Sequence, residues 1–270
     1  MELLVEGPQG PAAAYAYTGG KAFDAALPCV VFVHGALHDH SDWTLLARWC
    51  AHHGHGVLAV DLPGHGRSGG APLASVEALA EWLLALLDAA GVERATLVGH
   101  SMGSLIALEA AARAPQRVRA LVMIGTAYPM KVSDALLSTA REAPLRAIDM
   151  VNAFSHSGIA AKPSFPGPGT WLHGADRALM RRLQADQTAL NLFHHDFSVC
   201  DRYSGGLQAA PGVACPVTFI LGARDQMTLA KHTGEFAQAL RAQVRRVNAG
   251  HALMSEAPDA VLAALRCALA

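Results

Sequence analysis

The chain contains strands that leave no polar face for water. Cys29-Val30-Val31-Phe32-Val33 is an unbroken apolar run, largely β-branched, that stops at His34-Gly35; Val57-Leu58-Ala59-Val60 is a second, stopped by Asp61-Leu62-Pro63-Gly64. Ala95-Thr96-Leu97-Val98, residues 118–124 and Val217-Thr218-Phe219-Ile220-Leu221 are further, mainly apolar strands, and residues 244–248, which carry Arg245 and Arg246, read as a sixth. A strand that is apolar at every position has to be covered on both sides, which a mostly parallel sheet between two helix layers provides. Helical patterns separate the runs, over 43–53, 75–90, 104–114 and 258–270. The second of these opens on Ser75 as N-cap, carries Glu77 and Glu81 early and ends at Gly91. The predicted class is α/β, with helices on both faces of a roughly eight-stranded sheet. Residues 2–5 and 15–17 would add an antiparallel hairpin at one edge.

The alternation stops after the fourth buried run. Residues 127–211 hold helical patterns over 133–141, 145–154 and 177–193 around a Pro/Gly-rich stretch at 162–169, without a further buried run. The sequence thus divides into a core of 1–126 and 212–270 and a helical insertion of 127–211. With 52% hydrophobic and 16% charged residues the chain is globular, and a net charge of -1 gives no electrostatic case for nucleic acid. No apolar run reaches the roughly 18 residues of a membrane span, so membrane insertion is not expected. Cys29, Cys50, Cys200, Cys215 and Cys267 form no CxxC pair and read as reduced thiols. Met1 to Gly10 lacks a basic start and an apolar core, so the expected location is cytoplasmic.

The third buried run leads into Gly99-His100-Ser101-Met102-Gly103, and a helical pattern follows at once. A strand–turn–helix junction of G-x-S-x-G form holds a serine hydroxyl clear of the sheet, and side chains at Gly99 or Gly103 would collide there. The new helix points unpaired N–H groups at that serine, so Met102 N–H is a candidate donor to an oxyanion. A second donor is expected from His34-Gly35-Ala36-Leu37, after the first buried run: Ala36 N–H by preference, Leu37 as the fallback. Gly35 would let the backbone approach a substrate closely.

A serine needs a base, and chain order selects one among 14 histidines. His251, in Ala249-Gly250-His251-Ala252, follows the last strand and precedes the closing helix, whereas His194 and His195 fall in the insertion. Asp225 follows the fifth run, in Gly222-Ala223-Arg224-Asp225; the loop after the fourth offers no carboxylate before Asp134. The expected triad is Ser101, His251 and Asp225. This chemistry calls for no cofactor and no metal. Candidate substrate contacts are Gly35, Leu37, His38, Tyr128 and Met227. Met130, Phe154, Trp171, Phe193, Phe197 and Met254 are further lining candidates whose simpler role is the insertion's own core.

Two patterns lead elsewhere. Gly64-His65-Gly66-Arg67-Ser68-Gly69 has the G-x-G-x-x-G form, but Ala71-Pro72 separates it from the next helix, so it lacks a phosphate cradle. His38-Asp39-His40 shows no third metal ligand at a plausible spacing, and His52-His53-Gly54-His55 suits a helix end.

Taken in order, His34-Gly35, Asp61-Leu62-Pro63-Gly64-His65-Gly66-Arg67-Ser68, the Ser101 turn, Gly222-Ala223-Arg224-Asp225 and Gly250-His251 resemble the landmarks of the α/β-hydrolase superfamily. The resemblance is to its capped, serine esterase-like subset. It implies an eight-stranded sheet with residues 127–211 as a helical cap, and hydrolysis of a small-molecule carboxylic ester or lactone through an acyl-serine. Carbon–carbon bond hydrolysis, thioester hydrolysis and haloperoxidase or perhydrolase chemistry share the triad. A hydrolase-fold ligand receptor is the non-enzyme alternative. The aspartate-dependent dehalogenases and epoxide hydrolases are disfavoured by Ser101. Acyl group, alcohol and oligomeric state are left open.

Overall fold

The apolar runs become the interior of an eight-stranded sheet ordered β1-β2-β4-β3-β5-β6-β7-β8. The strands are β1 (Glu2–Val5), β2 (Ala12–Tyr17), β3 (Cys29–Val33), β4 (Gly56–Val60), β5 (Ala95–His100), β6 (Val118–Ile124), β7 (Val217–Gly222) and β8 (Gln243–Val247). This is a computed structural model, describing residues 1–7, 10–157, 172–186 and 190–270. β2 pairs antiparallel with both β1 and β4, and every pairing from β4 through β8 is parallel. β3, β4, β5 and β7 are buried at every position.

Alternate residues of these strands feed two separate cores. Val31, Val33, Leu58 and Leu97 pack on one face with α2 (Val76–Ala89) and α3 (Met102–Arg113). Val30, Phe32, Val57 and Val98 pack on the other, under Trp43, α1 (Thr44–His52) and the closing helix. Ser75 caps α2 as expected, its hydroxyl accepting from Ala78 N–H at 3.1 Å. The outer strand β8 is exposed along most of its length and carries Arg245 and Arg246, charges that discourage pairing with another edge.

Between β6 and β7 the chain leaves the sheet and forms α4 (Asp134–Glu142), α5 (Pro144–Ser155), α6 (Leu172–Asp186), α7 (Leu192–Arg202) and the short α8 (Gly206–Ala209). Their apolar faces, including Ile148, Met180 and Phe193, join the core on the α2–α3 side. The single helix expected over 177–193 is corrected to parts of two. Asn191 ends the continuity because its side chain accepts from His194 N–H at 3.1 Å and caps α7. The Pro/Gly-rich stretch and Trp171 lie outside the described residues. After β7 come α9 (Gly234–Ala239), α10 (Leu253–Glu256) and α11 (Pro258–Leu269). No helix among the described residues is long and apolar enough to cross a membrane.

Candidate active site

Ser101 stands at the tip of the β5–α3 turn with φ 51 and ψ -119, a left-handed conformation that a non-glycine residue holds only under constraint. Ser101 N–H donates to the Ile124 carbonyl at 2.9 Å, which ties the turn to β6. The two flanking glycines are there for room. A Cβ on Gly99 would lie 2.2 Å from the Gly103 carbonyl oxygen, and one on Gly103 would lie 2.2 Å from that of Val33. α3 begins directly at Met102, two residues earlier than its periodicity implies, so Ser101 is its N-cap position.

The loop after β3 lies against this turn: a Cβ on Gly35 would meet Ser101 Cβ at 3.3 Å. His34 organises it from below. Its Nδ1 donates to the Gly35 carbonyl at 2.8 Å, and its Nε2 accepts from Leu62 N–H at 3.1 Å, which makes the ring neutral. Burial, reinforced by the adjacent His65, drops its pKa to about 4. Among the described residues, neither Ala36 N–H nor Met102 N–H is used in a protein hydrogen bond. Leu37 N–H is used: it donates to Asp196 Oδ2 at 2.8 Å, which corrects the fallback assignment.

The carboxylate and the imidazole meet at the far ends of β7 and β8. His251 Nδ1 donates to Asp225 Oδ2 at 2.8 Å, leaving Nε2 for a reacting group. Asp225 also accepts from Met227 N–H at 2.8 Å and Thr228 N–H at 2.9 Å on Oδ1, and from the Thr228 hydroxyl at 2.6 Å on Oδ2. Burial by itself would raise this carboxyl; the His251 ring and the Thr228 hydrogen bonds outweigh it and hold the pKa down to about 2. His251 is anchored from above by the end of α5, because its N–H donates to the Ser155 carbonyl at 2.7 Å. From below, His100 Nε2 donates to the His251 carbonyl at 2.9 Å.

Ser101 and His251 line one cleft with Gly35, Ala36, His38 and Thr228 on the sheet side and Met130, Val151, Phe197 and Met227 among the apolar residues above. The cleft is open to solvent, with about 540 Å³ of space when the solvent at its mouth is included. Lys131, Val132, Val151, Phe197 and Met227 also line a second apolar cleft that runs on past Leu136, Met150 and Phe154. No hydrogen bond joins Ser101 and His251 among the described residues. Such contacts are commonly loose until a substrate closes them.

A family model described as alpha/beta hydrolase fold matches residues 28–166, just over half the chain. The chain belongs to the alpha/beta hydrolase fold family. It is 29% identical over 279 residues to the dihydrolipoyllysine-residue acetyltransferase component of the acetoin cleaving system of Pseudomonas putida, covering 96% of this chain and 71% of that one. It is 28% identical over 262 residues to the sn-1-specific diacylglycerol lipase ABHD11 of Mus musculus, covering 92% and 82%. The crystal structure of the enol-lactonase from Burkholderia xenovorans LB400 superposes with a TM-score of 0.80 at 22% identity over 96% of each chain, a likeness of fold.

Several expected substrate contacts of this hydrolase-fold chain need correction. Leu37 is fully buried in the core rather than in the cleft. Tyr128 turns away: its ring packs against Phe236 and Tyr203, and its hydroxyl donates to the Ser204 carbonyl at 2.5 Å. Met130, two residues on, lines the cleft in its place. His38 lines it, but both ring nitrogens are already engaged, with the Ala36 carbonyl at 2.7 Å and Asp176 at 2.8 Å. Phe193 stacks on Phe197 at 4.4 Å inside the helical core, Met254 packs below the sheet, and Phe154 belongs to the second cleft.

The other patterns find structural roles. The glycine-rich loop folds around Asp61, whose Oδ2 accepts from Arg67 N–H at 2.9 Å; a Cβ on Gly66 would strike that oxygen at 2.4 Å. Asp61 also supplies the third donor that chain spacing hides, since donor atoms of Asp39, His40 and Asp61 lie within 4.8 Å of one another. Those carboxylates are already engaged: Asp61 Oδ1 by His40 at 2.8 Å and Asp39 Oδ2 by Arg182 at 2.6 Å. Asp176 and Asp196 are the polar residues that sequence reasoning missed. The available signal was a carboxylate on the apolar stripe of α7, since Asp196 falls between Phe193 and Phe197.

Proposed function

We propose that the protein is a serine hydrolase that cleaves a small-molecule carboxylic ester or lactone through an acyl-Ser101 intermediate. The observation that carries this reading is the buried Asp225–His251 pair opening onto the same cleft as a serine on a strained strand–helix turn. The relatives support it: the mouse relative is named as a lipase, and the fold neighbour as an enol-lactonase. Residues 127–211 serve as a cap over the core of 1–126 and 212–270, and the second cleft gives an apolar acyl group room to extend.

His251 Nε2 takes the Ser101 proton as Oγ attacks the substrate carbonyl. The charge that develops on the carbonyl oxygen falls to Ala36 N–H and Met102 N–H, with Met102 at the positive end of α3. His251 then gives the proton to the leaving alcohol and, in the second half, takes one from the attacking water. Asp225 fixes the ring with Nδ1 protonated and stabilises the imidazolium.

The test is Ser101→Ala assayed on short p-nitrophenyl esters, with circular dichroism to show that the fold is kept. The expected result is loss of turnover by at least about 10³-fold. Undiminished hydrolysis in the folded variant would overturn the mechanism.

A further inference from the structure

Ala36 and Leu37 share one peptide group. Its N–H end is held directly by a carboxylate of the inserted helices, and its carbonyl end is held by His38, itself backed by a second carboxylate of those helices. Leu37 N–H donates to Asp196 Oδ2 on α7 at 2.8 Å, and the same oxygen accepts from His65 Nε2 at 2.8 Å. The Ala36 carbonyl accepts from His38 Nδ1 at 2.7 Å, while the other side of that ring donates to Asp176 Oδ1 on α6 at 2.8 Å. His65 uses its Nδ1 on the Pro63 carbonyl at 3.0 Å. Each of these two rings therefore faces a carbonyl with one nitrogen and a carboxylate with the other. Neither acceptor has a proton to give, so both rings are imidazolium ions. These are charge-assisted bonds; the Asp196–His65 pair lies in a dry setting, Asp196 2% exposed and His65 3%, while His38 and Asp176 are half-buried.

The peptide so gripped is not at rest. Leu37 has φ 54, in the left-handed region that a leucine adopts only when its surroundings over-determine it. On the other side of Ala36, His34 holds the Gly35 carbonyl at 2.8 Å. The Ala36 N–H thus lies between two pinned carbonyls, one pinned from the core and one from the inserted helices.

We propose that Asp196 and Asp176 are positioning residues for the oxyanion hole: gripping the 36–37 peptide at both ends, they aim the Ala36 N–H, so the hole is complete only while α6 and α7 are seated on the core. This rests on the reading of Ala36 as an oxyanion donor. Seating of the helices and transition-state stabilisation are then one event. A substrate that props α7 away from the core lowers kcat even when it binds well.

The experiment compares Asp196→Leu, Asp196→Asn and Arg182→Ala with the wild-type chain on a p-nitrophenyl ester, with active sites titrated by a fluorophosphonate. An alkyl boronic acid serves as the tetrahedral mimic. Leucine removes the acceptor at near-constant size; asparagine keeps an oxygen for Leu37 N–H. Arg182→Ala breaks the bond to Asp39 at 2.6 Å, a contact between α6 and the core that does not reach the 36–37 peptide.

The expected result for Asp196→Leu is a kcat lower by about 10- to 100-fold, with KM within about threefold and boronate affinity reduced in parallel with kcat. Asp196→Asn recovers most of kcat, and Arg182→Ala leaves kcat unchanged. Should Asp196→Leu lose the fold, Asp176→Leu removes the carboxylate that fixes His38 at the other end of the same peptide and carries the same expectation. A folded Asp196→Leu or Asp176→Leu protein with wild-type kcat and boronate affinity would overturn the proposal. So would equal losses of kcat in Arg182→Ala. A wild-type chain that turns over no ester would instead defeat the underlying reading, and the positioning role with it.

Discussion

Replacing Asp225 by Asn tests the tautomer logic of the site, because the structure dictates how the amide must sit. Asp225 Oδ1 accepts from two backbone N–H groups, those of Met227 and Thr228 at 2.8 and 2.9 Å, so the amide oxygen belongs there. The NH2 group then occupies the Oδ2 position, facing His251 Nδ1 at 2.8 Å and the Thr228 hydroxyl at 2.6 Å. Both are groups with a lone pair to offer, so the amide's two protons find acceptors and the orientation is stable. His251 Nδ1 becomes an acceptor, the ring proton moves to Nε2, and Nε2 can no longer take a proton from Ser101. A wrongly protonated histidine costs a Ser-His-Asp enzyme about 10⁴ in kcat, or about 5 kcal/mol of barrier.

A smaller loss of stability accompanies this exchange. The Asp225 carboxyl is held down from 3.8 to about 2, so its contribution is full above pH 3.8 and disappears as pH falls through about 2. At neutral pH that amounts to about 2 kcal/mol, which asparagine forfeits in part. The assay is steady-state hydrolysis of p-nitrophenyl acetate alongside 15N shifts of the His251 ring. A variant within tenfold of wild-type kcat, or one whose ring keeps its Nδ1 proton, would refute the reasoning.

Other expectations follow from the same geometry. Gly103→Ala puts a Cβ 2.2 Å from the Val33 carbonyl oxygen and 2.5 Å from that of His34, so thermal melts should show a loss of at least about 3 kcal/mol, or no soluble protein. Val151→Trp fills the junction between the two clefts; kcat/KM for octanoate and longer p-nitrophenyl esters should fall about tenfold or more while acetate is retained. Burial opposes the charge on His38, but Asp42 and Asp176 prevail and hold its pKa up to about 10 from 6.5. Its stabilisation is therefore full below pH 6.5 and lost as pH rises toward 10, so melting temperature should fall over that interval more steeply in wild type than in His38→Gln.

The parts of this molecule that the sequence discloses are those set by neighbours in the chain. β3, β4, β5 and β7 are legible because burial on both faces leaves a continuous apolar run, and Ser75 announces α2 because a cap acts over three residues. The order of the loops bearing Ser101, Asp225 and His251 follows from strand order, and the structure has all three just beyond the carboxyl ends of β5, β7 and β8. Side-chain direction is another matter. Tyr128 and Leu37 sit in the right loops, yet one ring turns into the helical core and the other side chain into the interior, since a strand end locates the backbone without aiming what it carries. Asp196 escapes for a different reason: its partner, Leu37 N–H, lies 159 residues away, and no local pattern records so distant a hydrogen bond.

The central claim is a covalent acyl-Ser101 intermediate, and rapid-quench peptide mass spectrometry of the protein during turnover of p-nitrophenyl butyrate tests it most directly. The account predicts a butyryl adduct on the peptide containing Ser101 that forms with the first burst of p-nitrophenol and decays as substrate runs out. In Asp225→Asn it should form correspondingly more slowly. An adduct on another residue, or steady hydrolysis with no adduct in Ser101→Ala, would contradict it.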